Sequence, residues 1–131
     1  MTSSEVEYLI IGGYAVNFHG FSRATADLDI WIDNSSKNAD RLARVVRQFG
    51  FANAKAEDFL QPGKIIRMGV PPVRLEILTS ISGVDFRDCY TRKIDVDWDG
   101  VQVPVIHRDD LIKNKQASGR LKDRLDVEEL S

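Results

Sequence analysis

The first uninterrupted apolar run spans residues 8–11 and stops at Gly12 and Gly13, which predicts a strand and a glycine turn. A brief helix over residues 14–19 follows, closed by Gly20. The next strand is expected over residues 28–32, where Leu28, Ile30 and Ile32 alternate with Asp29 and Trp31. An amphipathic helix over residues 34–49 carries Leu42, Val45, Val46 and Phe49 on one face, with Asn34, Ser35 and Ser36 as N-cap candidates and Gly50 as the stop. Residues 52–63 show little periodicity and read as loop or frayed helix. Two strands, residues 65–68 and 73–78, flank a turn over residues 69–72. A short helix is expected over residues 85–90. A hairpin then alternates Ile94, Val96 and Trp98 with Asp95, Asp97 and Asp99, turns at Asp99 and Gly100, and returns through Val101, Val103 and Val105. From Asp109 the chain reads as helical to its end, with a break near Ser118 and Gly119.

The 131 residues suffice for one ordinary domain, so a single unit over residues 1–131 is expected. With 43% hydrophobic and 29% charged residues, the composition argues against disorder and against a fibrous repeat. The net charge of -2 argues against a uniformly basic nucleic-acid binder and leaves room for a local basic surface. Cys89 is the lone cysteine, so no intrachain disulfide can form and no cysteine cluster can hold zinc. The acidic start and the absence of a long apolar run imply no leader and no membrane span, and point to the cytoplasm. The expected fold class is α/β (α+β), a small mixed, twisted sheet flanked by helices with a carboxylate-lined cleft at one side.

Asp27 and Asp29 carry the chemistry. Side chains two apart on a strand project from one face roughly 6 to 7 Å from each other, so these carboxylates repel unless a cation joins them. Magnesium suits such a pair, because it takes one or two carboxylates and fills its remaining positions with phosphate oxygens and water. Glu76 shares a strand face away from Val73, Leu75 and Ile77, and it converges with the pair if its strand lies beside residues 28–32. Gly12 and Gly13 let backbone N–H groups approach a triphosphate, and the following helix aims its positive end there.

Together these residues resemble the nucleotidyltransferases of the polymerase-beta superfamily, whose pattern is a glycine pair, an Asp-x-Asp with apolar neighbours and a third acid on a later strand. They look most like the AbiEii-like toxins and related minimal nucleotidyltransferases, whose Arg-x-Thr-x-Asp-hydrophobic-Asp segment is matched by Arg23, Thr25, Asp27, Leu28 and Asp29. The similarity extends to the C-terminal segment through Lys115, Arg120, Lys122, Asp123 and Asp126. The resemblance implies a nucleotidyltransferase-like fold in which Asp27, Asp29 and Glu76 bind Mg2+ or Mn2+. It implies that Gly12, Gly13, Arg23, Thr25 and Lys115 hold the NTP, with Glu76 as base or third ligand. The activity implied is transfer of a nucleoside monophosphate from an NTP such as ATP to a hydroxyl of tRNA, a protein or a small molecule. The setting implied is the toxin of a toxin–antitoxin pair with a cognate antitoxin. Two departures stand out: Glu76 replaces a more common aspartate, and the chain reaches Ser131 without a further acceptor-holding domain. The rival readings are a low-turnover nucleotide- or partner-binding, antitoxin-like module and an RNA-binding accessory domain.

Other candidates carry less. His19 and His107 lack partners at metal spacing. Asp95, Asp97, Asp99 and Gly100 match half of a calcium loop, but the twelfth position is Ile106 and strands are expected on both sides. Arg74 shares the face of Glu76 and is a plausible ion-pair partner for it.

Overall fold

A computed structural model describes residues 6–20, 27–48, 50–51, 53–70, 73–98 and 100–118. Strand β1 (Tyr8–Ile11) is buried along its whole length, as a continuous apolar run at the centre of a covered sheet should be. It passes directly into helix α1 (Gly12–Phe18), which therefore begins at the glycines, two residues earlier than the periodicity predicts. Strand β2 (Asp27–Ile32) and helix α2 (Ser36–Gln48) follow, then a 3-10 turn at Ala56–Phe59 within the expected loop. Strands β3 (Ile65–Val70) and β4 (Val73–Leu78) lead to helix α3 (Phe86–Thr91), strands β5 (Ile94–Trp98) and β6 (Val101–Val105), and helix α4 (Arg108–Ser118).

The six strands form one mixed sheet in the order β3-β4-β2-β1-β6-β5. β1 runs antiparallel to β2 and parallel to β6, β2 runs parallel to β4, and β3–β4 and β5–β6 are antiparallel pairs. The strand carrying the aspartates thus lies beside the strand carrying Glu76.

Alternation predicts one buried face for β2, yet Ile30, Trp31 and Ile32 are all buried. The cause is α3: Phe86 meets the Trp31 ring edge-on at 5.1 Å and covers the face that Trp31 shares with Asp29. One face of one strand therefore passes from core at Trp31 to cleft at Asp29. α2 buries Leu42, Val45 and Val46 as expected, together with Ala39 and Ala43. Phe49 lies outside the described residues.

Two polar devices fix the frame. Asn38 is buried on α2. Its Oδ1 accepts the Glu7 N–H at 2.8 Å, and its Nδ2 donates to the carbonyls of Glu7 (3.0 Å) and Asp33 (2.7 Å), joining the start of β1 to the end of β2. His19 Nε2 donates to the Ile106 carbonyl at 2.9 Å, so this histidine ties the end of α1 to the connection between β6 and α4. His107 Nδ1 accepts the Asp109 N–H at 3.1 Å at the start of α4. Both histidines are structural. Of the β5–β6 hairpin aspartates, Asp97 has a structural place: its Oδ1 accepts the Gly100 N–H at 2.9 Å across the turn, and Asp99 lies outside the described residues.

The hairpin of β3 and β4 is tighter than predicted. Val70 pairs with Val73, so only residues 71 and 72, outside the described set, separate the strands. This shift changes which side chains face each other.

Candidate active site

The cleft begins where β1 becomes α1. Gly12 has φ +70°, a left-handed conformation that L side chains rarely adopt. Ile11 is the register partner of Asp29, which brings the next residue onto the Asp29 side chain. A Cβ added at Gly12 would collide with Asp29 Oδ2 and lie 3.2 Å from Asp29 Cβ and Cγ. The backbone thus favours glycine, and any side chain there would have to displace the Asp29 carboxylate. The other carboxylate oxygen, Oδ1, is shielded from solvent.

From Asp29 the site spreads sideways along the sheet. Asp29 is the parallel register partner of Glu76 on β4, and Glu76 is the antiparallel partner of Arg67 on β3. Arg67 Nε donates to Glu76 Oε1 at 2.8 Å. The Arg67 side chain is 58% exposed and that of Glu76 17%, so the pair stands at the cleft surface with its acid turned inward. Lys115, on α4, is 4% exposed and lines the same cleft.

Gly12, Gly13, Asp29, Arg67, Glu76 and Lys115 thus share one open cavity of about 590 Å³. That volume is within the range of small-molecule sites. Its far wall is braced by Thr79, whose buried hydroxyl donates to the Gln61 carbonyl at 2.6 Å and accepts the Lys64 N–H at 2.9 Å. The Gly63 N–H donates to Ser80 Oγ at 2.7 Å. Asn114 Nδ2 donates to the Ser82 carbonyl at 3.0 Å, fastening this wall to the helix that carries Lys115.

Of the residues singled out from the sequence, the structure brings Gly12, Gly13, Asp29, Glu76 and Lys115 together. Asp27 opens β2 as the register partner of Arg74, and its side chain lies outside the described residues. Arg23, Thr25, Arg120, Lys122, Asp123 and Asp126 also lie outside them. Among the described residues no group of three His, Cys, Asp or Glu side chains could hold a metal ion. Asp29 and Glu76 supply two cleft carboxylates, and the partner of Glu76 is Arg67 where the sequence suggested Arg74.

Sequence reading passed over Arg67. The expected four-residue turn would set Arg67 against Arg74, a like-charge pair, whereas the two-residue connection sets it against Glu76. Charge complementarity across the hairpin was the available signal.

A second arginine–carboxylate pair lies away from the cleft. Arg92 holds Asp110 through Nε and Nη2, both at 2.9 Å, and Asp110 is 1% exposed. Burial, then the Asp110 charge, pushes the neighbouring Cys89 thiol up to about 12.

No family model and no curated protein matches the chain. Solved structures do. A candidate nucleotidyltransferase from Thermotoga maritima superposes with a TM-score of 0.68 at 15% identity, covering 98% of this chain and 84% of that one. An antigenic nucleotidyltransferase-like protein from Paracoccidioides brasiliensis gives a TM-score of 0.55 at 19% identity, covering 98% of this chain and 67% of that one. The mixed six-stranded sheet with its flanking helices is therefore a nucleotidyltransferase-like fold. Among the described residues no helix is long and apolar enough to cross a membrane.

Proposed function

We propose that the chain is a metal-dependent nucleotidyltransferase that moves a nucleoside monophosphate from an NTP to an acceptor hydroxyl. The observation that carries this reading is the contact of Gly12 with the Asp29 carboxylate, inside a cleft that also holds Glu76 and Lys115. The Asp29 carboxylate sets Oδ2 against a side-chain-free backbone that a phosphate can approach closely and keeps Oδ1 from solvent, and Mg2+ or Mn2+ fits such a hard-oxygen donor. Asp29, with Asp27 from the same strand, would hold the ion. When bound, the metal supplies positive charge against the phosphates and orients them.

The residues of the chain do the rest. Gly12 and Gly13 present backbone to the phosphates, and Lys115 contributes a compact positive charge to the cleft. Arg23 and Thr25 precede Asp27 and join the nucleotide contacts. The acceptor oxygen forms its bond to the α-phosphorus as the bond to pyrophosphate breaks, and its proton passes to a carboxylate of the cleft. Positioning and electrostatic stabilisation supply most of the rate in such transfers.

The acceptor is a tRNA end, a protein side chain or a small molecule, and the proposed setting is the AbiEii-like toxin of a toxin–antitoxin pair. The engagement of Glu76 by Arg67 favours one rival, a nucleotide-binding module with little turnover. The test is transfer of label from each of four α-labelled NTPs, with magnesium, into the RNA and protein of a cell extract. Label in one RNA or protein band, lost by at least about a hundredfold in Asp27→Asn/Asp29→Asn, is the expected result. Folded protein that binds ATP and labels no RNA, protein or small molecule would establish the binding module instead.

A further inference from the structure

Over its described length, α4 buries Asp110, Leu111 and Lys115, and only Leu111 is apolar. A helix with so narrow an apolar stripe is held mainly by its polar and steric contacts. Arg92 fixes its first turn through Asp110. Lys115 stands further along, so another contact must set how far it enters the cleft. We propose, resting on the nucleotidyl-transfer reading, that the segment over residues 80–84 does this, with Gly83 and Asn114 as positioning residues for Lys115.

Three observations carry this. First, Gly83 has φ +83°, and a Cβ added there would lie 2.6 Å from Ala117 Cβ and 3.1 Å from the Lys113 carbonyl oxygen. Residues 113 and 117 bound the helical turn that holds Lys115, so the backbone at Gly83 rests directly on that turn. Second, Asn114 Nδ2 donates to the Ser82 carbonyl at 3.0 Å. This bond runs from the neighbour of Lys115 to the neighbour of Gly83, so the hydrogen bond draws the helix in and the missing side chain lets it come. Third, the segment is rooted in the sheet. It follows Thr79, whose hydroxyl is bonded to the Gln61 carbonyl and the Lys64 N–H, and Ser80, Ile81 and Ser82 line the cleft with Asn114 and Lys115. A methyl at position 83 pushes α4 away and carries the Lys115 ammonium with it, while Asp29 on β2 keeps its place. A charge shifted by an ångström loses its hydrogen-bond geometry to a phosphate.

The experiment measures binding on the full chain. ATP affinity is taken by equilibrium dialysis with magnesium, and Mn2+ affinity by electron paramagnetic resonance, for wild type, Gly83→Ala, Asn114→Ala and Lys115→Met, and for each of the first two changes combined with Lys115→Met. Lys115→Met should weaken ATP about tenfold, the scale of a hydrogen bond to a charged group, and Gly83→Ala and Asn114→Ala about three- to fivefold. Each should keep Mn2+ within about twofold of wild type, and neither should weaken ATP further once Lys115→Met is present, because changes that act through one group are not additive. Adding Ala117→Gly, which removes the atom nearest the new methyl, should restore part of the affinity lost in Gly83→Ala. Asn114→Ala adds no bulk and carries the test alone if Gly83→Ala does not fold. Wild-type ATP affinity in both positioning variants would overturn the proposal. So would an undiminished loss in the Lys115→Met background, or Mn2+ lost in step with ATP, since either marks a general effect on the fold. Lys115→Met protein that binds ATP as wild type does would overturn it too, with the nucleotidyl reading intact. Wild-type protein that binds neither ATP nor Mn2+ would bring down that reading itself, which separates the two failures.

Discussion

Arg92 grips Asp110 with two nitrogens and leaves its acid 1% exposed, whereas Arg67 reaches Glu76 with Nε alone and leaves its acid 17% exposed. Both are arginine–carboxylate pairs, and their consequences differ. A bidentate pair with a buried carboxylate is rigid, and losing its cation strands a charge away from water. A single contact at a cleft surface costs little to rearrange, so its loss should leave the fold nearly unchanged. What separates the buried pair from the cleft pair is the burial of the acid and the number of donor atoms engaged.

The sharpest way to break the comparison is to remove each arginine. Arg92→Met should lower the melting temperature by about 10 °C or more, because the Asp110 carboxylate stays buried without its partner. Asp110→Asn should cost less, since the half-exposed Arg92 side chain can turn to solvent. Differential scanning calorimetry of the two variants checks the order.

Gly12→Ala comes next. The left-handed backbone alone should cost about 1–3 kcal/mol in urea unfolding, and the added methyl must displace the Asp29 carboxylate. A fall in Mn2+ affinity larger than the stability loss implies would tie this strain to the site.

Cys89 sharpens the buried side of the comparison through pH. Its thiol is raised from an ordinary value of 9.0 to about 12 in the folded protein. Above pH 9 the unfolded thiol gives up its proton while the folded one keeps it. The native state then binds more protons, and its stability falls as pH rises from 9 toward about 12. Urea midpoints between pH 8 and pH 10.5 should therefore slope downward, and Cys89→Ala should reduce that slope.

The smallest effect belongs to the cleft pair. Arg67→Gln should change stability by about 0–1 kcal/mol, the range of exposed ion pairs. A loss as large as that of Arg92→Met would place the two pairs in one class.

The parts of this architecture legible in the sequence are those fixed by short-range pattern. The run over residues 8–11 gave β1, and the parity of Glu76 against Leu75 and Ile77 set its face once β4 lay beside β2. Trp31 was harder: alternation assigns it the face of Asp29, and only α3, distant in sequence, decides that it is core. Asn38 reads as an ordinary polar helix position until β1 and β2 bring three backbone groups to it. Arg67 was hidden by two residues of turn length, because a hairpin register is set by its turn and every cross-strand pair moves with it. The contact of Gly12 with Asp29 needs a register and a positive φ together, and neither can be read from a glycine pair alone.

That contact also constrains how the sequence can drift. Any side chain at position 12 must push the Asp29 carboxylate out of its place in the cleft. The two positions are therefore coupled: a randomised library selected for folding alone should tolerate changes at either, while one selected for the proposed nucleotidyl transfer should return glycine and aspartate as a linked pair.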